Sequence, residues 1–302
     1  MSYDVHITKN TSKVLFIINP ASGNGKNKAI SSIIENTIDR AKFNYEIKYT
    51  TKQGDASKFS SEACLNEYDM VIAVGGDGTV HEVGIPLIGS NTALGIIPTG
   101  SGNGLARHCK IPCNSKKAMD VINRMQIQRI DTIKINEDHF LHMAGIGFDA
   151  HIAKKFSEYG KRGFLSYLKV SIKEFFAYKS QKYHLVIDGI ASTHQAFLIS
   201  FANSAQYGNN ILISPQAKID DGLLDVAVLR PFPFMSIPFL ALQLFTGNIN
   251  KSKYLKIIPC KTIEIVGGPF KAHLDGEPVT FEKNIQMSVF PASLRLCSNS
   301  KI

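Results

Sequence analysis

The chain has no tryptophan, five cysteines in 302 residues and no low-complexity tract. Its cysteines (Cys64, Cys109, Cys113, Cys260 and Cys297) are odd in number and scattered, which argues against a disulfide framework and suits a reducing compartment. His108, Cys109 and Cys113 lie close together, but no second pair at ligand spacing follows, so they are not read as a metal site. The opening residues are polar and the first apolar run, 14–18, is short, so no secretory leader is expected. The most apolar later stretch, 229–247, contains Arg230, Pro231, Pro233 and Pro238 and lacks the roughly 20 clean apolar residues of a membrane span. No fixed-period repeat is present. These absences together predict a soluble cytoplasmic protein, peripheral to a membrane at most.

Acidic residues are the scarcer charge: 25 Asp and Glu against 34 Lys and Arg, a net charge of +9. Such an excess suits an anionic partner, a membrane surface or a nucleotide phosphate. Residues 154–182 carry eight Lys/Arg and two acids, so +6 of the +9 lies there. In this stretch Phe164, Leu165, Leu168, Ile172, Phe175 and Phe176 recur at helical spacing beside Lys161, Arg162, Lys169, Lys173 and Lys179. A helix of that kind can lie on an anionic interface or dock on the protein itself. Phe232, Phe234, Met235, Phe239, Leu240 and Leu244 form a second apolar group, either a lip for an acyl chain or ordinary core. No nucleic-acid-binding module is recognisable, and nucleic acid is not an expected partner.

Periodicity divides the chain in two. Short apolar runs at 14–18, 45–50, 70–74 and 93–97 read as strands, alternating with helical patterns at 28–41, 55–65, 79–88 and 116–124. That alternation predicts an α/β domain with a mostly parallel sheet over 1–130. Strand patterns follow at 132–135, 139–143, 183–187, 196–202, 224–229, 262–266, 271–274 and 285–289, with helical insertions near 152–180 and 233–247. They predict an antiparallel, β-sandwich-like domain over 131–290, and 291–302 is expected to return to the first domain.

Three glycine-rich turns fall where strand-to-helix loops belong. The first runs through Asn19, Pro20, Ala21, Ser22 and Gly23 to Gly25 and Lys26, and it does not align with a Walker A loop. The second, Gly75, Gly76, Asp77, Gly78 and Thr79, sets three glycines around one carboxylate after an apolar strand, where ligands gather in parallel sheets. The third runs from Pro98 through Gly100, Ser101, Gly102 and Asn103 to Gly104. Glycine lets backbone approach phosphate closely, and a following helix start offers unpaired N–H groups.

These three loops, with Glu82, then Gly145 to Asp149, Asn203, Asp220 to Asp225, and Asp275, Gly276 and Glu277, resemble the diacylglycerol kinase and sphingosine kinase superfamily of lipid kinases. The resemblance runs from residue 13 to 296. The late acidic elements separate the chain from NAD kinases and phosphofructokinases, which share the second loop. It implies an N-terminal nucleotide-binding domain, a β-rich lipid-substrate domain, and transfer of phosphate from ATP with Mg²⁺ to a lipid hydroxyl. By resemblance, Asn19, Pro20, Ala21, Ser22, Gly23, Thr50, Gly75, Gly76, Asp77, Gly78, Thr79 and Ser101 contact the nucleotide. Asp275 or Glu277 is the general base with Asp77 the rival, and Asn103 and Asp149 lie on the substrate side. Lys218, Asp221 and Leu223 match a structural Mg²⁺ site, and Asp131 an acid of the same network. A lipid substrate, a membrane surface and a second copy of the chain are the partners this reading admits.

The chain departs from the family at Gly104, where many bacterial diacylglycerol kinases have Asp, and at Asn209 and Asn210, where a glycine pair is usual. The first departure leaves a sphingoid base open beside diacylglycerol as acceptor. His81 reads as a helix-start residue. An NAD-kinase-like phosphotransferase acting on a soluble ligand, and a lipid or nucleotide sensor without turnover, are the rival classes.

Overall fold

The computed structural model describes residues 11–22, 29–158, 173–175 and 177–299; Gly23 and most of the basic helix expected over 161–176 lie outside them. Strands β1 (Ser12–Ile18), β2 (Phe43–Tyr49), β3 (Met70–Gly75) and β4 (Ala93–Pro98) pair in parallel in the order β2-β1-β3-β4. Both β3 and β4 are buried throughout, which is why they read as unbroken apolar runs. The helices here are α1 (Ile30–Thr37), α2 (Asp55–Leu65), α3 (Asp77–Gly84), α4 (Gly104–His108) and α5 (Ser115–Arg124). Helix α1 stops short of residue 41 because Ile38 is extended and the Asp39 carboxylate accepts the Ala41 N–H, closing a turn. Pro86 tightens the end of α3 into a 3-10 turn, Ile85–Leu87.

The second half contributes β5 (Ile127–Ile135), β6 (Asp138–Phe140), β7 (Met143–Gly147), β8 (Gln181–Ile187), β9 (Ile190–Ala196), β10 (Leu198–Ala202), β11 (Gln206–Gly208) and β12 (Ile211–Leu212). It continues with β13 (Leu224–Leu229), β14 (Leu255–Cys260), β15 (Thr262–Val266), β16 (Phe270–Leu274), β17 (Glu277–Phe281) and β18 (Ile285–Cys297), and with helices α6 (Phe148–Glu158) and α7 (Ile237–Thr246). An antiparallel six-stranded sheet, β14-β13-β10-β7-β16-β17, faces the antiparallel part of a ten-stranded sheet. Ile133, Leu185, Ile265 and Ile285 from one sheet and Ile146, Phe201 and Val226 from the other share one core, as in a β-sandwich.

Strand β18 ties the halves together. Its first part pairs with β15 and β5; a bulge follows, where Ala292 has φ 49°, and Leu296 then runs parallel to Leu94 of β4. The Asp131 carboxylate holds that bulge by accepting the Ala292 N–H at 2.7 Å. Residues 130 and 131 lie inside β5, which together with β18 makes the larger sheet continuous from one half to the other.

Candidate active site

The parallel strands deliver their C-terminal ends to one edge, and ladder hydrogen bonds continue past them. Asn19 N–H donates to Val74, Thr50 N–H to Ile18 and Thr99 N–H to Gly75. Asn19, Pro20, Ala21, Ser22, Thr50, residues 75–79 and Ser101 are thereby gathered at this edge. Asn19 Nδ2 donates to Thr79 Oγ1 at 3.1 Å, and Ser22 Oγ shares a 2.9 Å hydrogen bond with Thr99 Oγ1.

The glycines are required by loop packing. A Cβ on Gly100 would come 2.5 Å from Gly76 Cα, so the second and third loops meet backbone to backbone. Asp77 fastens them: its Oδ2 accepts the Asn103 N–H at 2.8 Å and its Oδ1 the Gly104 N–H at 2.7 Å. Each oxygen keeps lone-pair capacity for a further partner. Asn103 is buried with left-handed backbone, and its Nδ2 is turned into its own loop, onto Gly100 O at 2.8 Å.

The second domain brings its β16–β17 hairpin to this edge. Asp275 and Gly276 form the two-residue turn with φ 49° and 93°, the geometry that favours Asp-Gly. Asp275 is buried. Its Oδ1 accepts the N–H groups of His142 (2.9 Å) and Met143 (3.1 Å); its Oδ2 accepts Leu141 N–H (2.9 Å) and lies 2.8 Å from His81 Nδ1. Burial alone would push this carboxyl up, but the His142 imidazole, the His81 bond and the His142 N–H outweigh burial and hold it well below the usual carboxylate range. Asp275, one of the expected bases, therefore has both oxygens engaged. It clamps the 141–143 crossing and α3 together.

Glu277, the other expected base, is exposed, and its Oε1 lies 2.6 Å from where a Cβ on Gly78 would be. This places its carboxylate against the first turn of α3. His81 is a site residue that sequence reasoning missed. Its signal was the i, i+4 spacing from Asp77, which sets both on one face of α3. Burial lowers the His81 pKa, but the Asp275 bond and charge, with Glu277 and Glu82, raise it above 6.5 overall.

His142 accounts for Gly104. A Cβ at residue 104 would meet His142 Cε1 at 2.7 Å and the Tyr207 carbonyl at 2.8 Å, so no side chain fits there. His142 Nε2 lies 3.9 Å from Asp77 Oδ1 and 3.6 Å from Asp275 Oδ1, between the two clamping carboxylates.

Asp149 opens α6, buried, with Oδ2 accepting Tyr207 Oη at 2.8 Å and lying 2.9 Å from His273 Nε2. Burial works against a charged His273, yet the charge and hydrogen bond of Asp149 raise its pKa. Further away, Asp131 Oδ2 accepts Gly222 N–H at 2.7 Å and so pins the loop carrying Lys218, Asp221 and Leu223. Asp221 is exposed, its Oδ1 accepting Leu223 N–H at 3.0 Å. Among the described residues no three His, Cys, Asp or Glu side chains cluster as a metal site, so a cation in that loop would rest on Asp221 and main-chain oxygens.

Residues 13–135 match the family model of the diacylglycerol kinase catalytic domain, and 142–298 that of the YegS C-terminal NAD kinase beta sandwich-like domain. A Pseudomonas aeruginosa protein named "Probable lipid kinase YegS-like" is 30% identical over 255 residues, 83% of each chain. The chain belongs to the diacylglycerol kinase family of lipid kinases. A relative of the same name in Yersinia enterocolitica is 29% identical over 283 residues, 90% of this chain and 94% of its own. A crystal structure described as a "putative diacylglycerol kinase" from Bacillus anthracis superposes with a TM-score of 0.80 at 25% identity, covering 99% of each chain. Membership makes this lipid kinase an enzyme built from a parallel-sheet α/β domain and a β-sandwich-like domain.

Proposed function

We propose that this lipid kinase transfers the γ-phosphoryl group of ATP, with Mg²⁺, to the hydroxyl of a neutral lipid alcohol of the diacylglycerol class. The observation that carries the reading is the meeting of Glu277 with Gly78: an exposed carboxylate from one domain against the helix start and glycine loops of the other.

The residues fit a nucleotide. The first-turn N–H groups of α3 suit phosphate oxygens, and the side chains of Asn19, Ser22, Thr79 and Thr99 form a linked polar rim beside them. The remaining lone pairs of Asp77 are oxygen ligands of the kind Mg²⁺ takes. A bound magnesium ion would neutralise phosphate charge, the main electrostatic demand of phosphoryl transfer. Asp221 and the main chain of Lys218 and Leu223 would hold a second, structural cation.

Glu277 accepts the proton of the lipid hydroxyl as its oxygen bonds to phosphorus, a contribution of about 10²–10⁴ in rate for a positioned base. Asp275 and His81 are positioning residues: the clamp fixes the hairpin that carries Glu277 against the helix that carries Asp77.

Asp149 favours a neutral head group. A sphingoid base brings an ammonium and would need a carboxylate with charge to spare, whereas Asp149 is engaged by His273 and Tyr207. The test is transfer of labelled phosphate from ATP with Mg²⁺ to mixed micelles holding diacylglycerol, sphingosine or ceramide. Label in phosphatidate alone is expected; labelled sphingosine phosphate as the main product would overturn the neutral-head-group reading.

A further inference from the structure

Strands β13 and β14 are antiparallel neighbours, with Leu229 opposite Leu255. Tight hairpin loops take about 2–5 residues. Here the connection is 230–254, 25 residues, and it holds α7. Residues 231–250 contain no charged side chain. Arg230 stands at one end and Lys251, Lys253 and Lys256 at the other, all exposed. No acidic residue occurs from 226 to 263.

This excursion does not fold its apolar side chains away. Leu240 is buried at 4% exposure, but Met235 is 84% exposed, Phe239 60% and Leu242 59%. Phe239 and Leu242, three residues apart, share one face of α7, and Met235 stands in the 3-10 turn Phe234–Ser236 that leads into it. Among the described residues, the exposed large apolar side chains elsewhere, such as Leu65 and Ile190, occur singly along the chain. At ten residues α7 is far too short to cross a bilayer, and no described helix is long and apolar enough to do so.

We propose that the outer face of α7 docks flat on an anionic membrane surface, with Met235, Phe239 and Leu242 entering the acyl boundary while Arg230, Lys251, Lys253 and Lys256 meet phosphate headgroups. An uncharged apolar face bounded by cations is the pattern of an interfacial helix, and each basic side chain near an anionic leaflet adds attraction. An apolar surface continues inward: Phe234, Phe175, Phe232, Phe197 and Phe148 follow ring to ring at centroid distances of 6.1, 5.6, 5.2 and 4.5 Å. Phe148 directly precedes Asp149, so the docked face leads toward the proposed head-group end of the site. That last link rests on the proposed function; the docking itself does not.

The test is co-sedimentation of the full chain with phosphatidylcholine vesicles with and without phosphatidylglycerol, with sedimentation velocity run in parallel. Phe239→Asp with Leu242→Asp should lower vesicle partitioning by about tenfold or more, leave turnover on a soluble short-chain diacylglycerol unchanged, and leave the oligomeric state unchanged. Partitioning should also fall with added salt. Unchanged partitioning in the double variant would overturn the proposal. A wild-type dimer that the double variant converts to monomer, with no change in partitioning, would overturn it in favour of a second copy on this face.

Discussion

Asp275→Asn separates the two carboxylates of the late acidic motif. In the wild type one oxygen of Asp275 accepts two main-chain N–H groups and the other accepts one, beside His81 Nδ1. An amide keeps one oxygen and turns an NH₂ group toward the remaining pair. Facing Leu141 and His81 is the cheaper orientation, since His81 can change tautomer and accept. One buried main-chain donor then stays unpaired, costing about 1–3 kcal/mol, and the charge-assisted bond to His81 is lost, about 1–2 kcal/mol more. The expected destabilisation is therefore about 2–5 kcal/mol, a large share of a domain stability of about 5–15 kcal/mol. Glu277→Gln alters an exposed side chain, so its stability should stay within about 0.5 kcal/mol of wild type while turnover falls about 10²-fold. Urea unfolding followed by circular dichroism, beside initial rates, measures both. An Asp275→Asn protein as stable as wild type but without turnover would refute the clamp and return Asp275 to the role of base.

The other predictions concern the residues around that clamp. In Gly104→Asp the new Cβ would overlap His142 and the Tyr207 carbonyl, and we expect a loss of about 1–3 kcal/mol in thermal unfolding. A neutral result would mean that His142 moves aside. His81 and His273 both have pKa values raised above the 6.5 of the unfolded chain, so each contributes stability that is full below pH 6.5 and lost as pH rises through the raised value. Unfolding free energy should therefore fall on the alkaline side of pH 6.5, and His273→Asn should flatten the slope; a flat wild-type profile contradicts the pairing of His273 with Asp149.

Much of the fold was legible because buried parallel strands are continuous apolar runs: 14–18, 70–74 and 93–97 fall within two residues of β1, β3 and β4. Three of the unread strands share a physical cause. Strands β9, β14 and β17 are sheet edges, where half the backbone groups need no partner and proline is tolerated. Pro259 and Pro278 sit in β14 and β17, and β9 is mostly polar. The pattern at 139–143 was read as one strand, yet the chain leaves the large sheet after Phe140 and enters the other at Met143. Only a tertiary partner stabilises that crossing, since the N–H groups of Leu141, His142 and Met143 all end on Asp275. Proline misleads again in β18, expected to stop at 289, which passes Pro291 by means of the bulge that Asp131 holds.

The site divides in the same way. Glycines and acids at loop ends were visible as motifs, because close loop contact admits no side chain. His81 and His142 were not, since a single histidine gains meaning only from the carboxylate that the other domain or another strand brings within 4 Å. Asp275 and Glu277, two residues apart and equivalent on paper, differ because the tight turn sends one inward and the other out over Gly78.

The central claim is tested most directly by incubating wild type and Glu277→Gln side by side with γ-labelled ATP, Mg²⁺ and diacylglycerol micelles. The account predicts labelled phosphatidate from wild type and about a hundredfold less from the variant, with both proteins equally folded. Equal label from the two would remove Glu277 as proton acceptor, and no lipid label from a folded, nucleotide-binding wild type would contradict the proposed transfer to diacylglycerol.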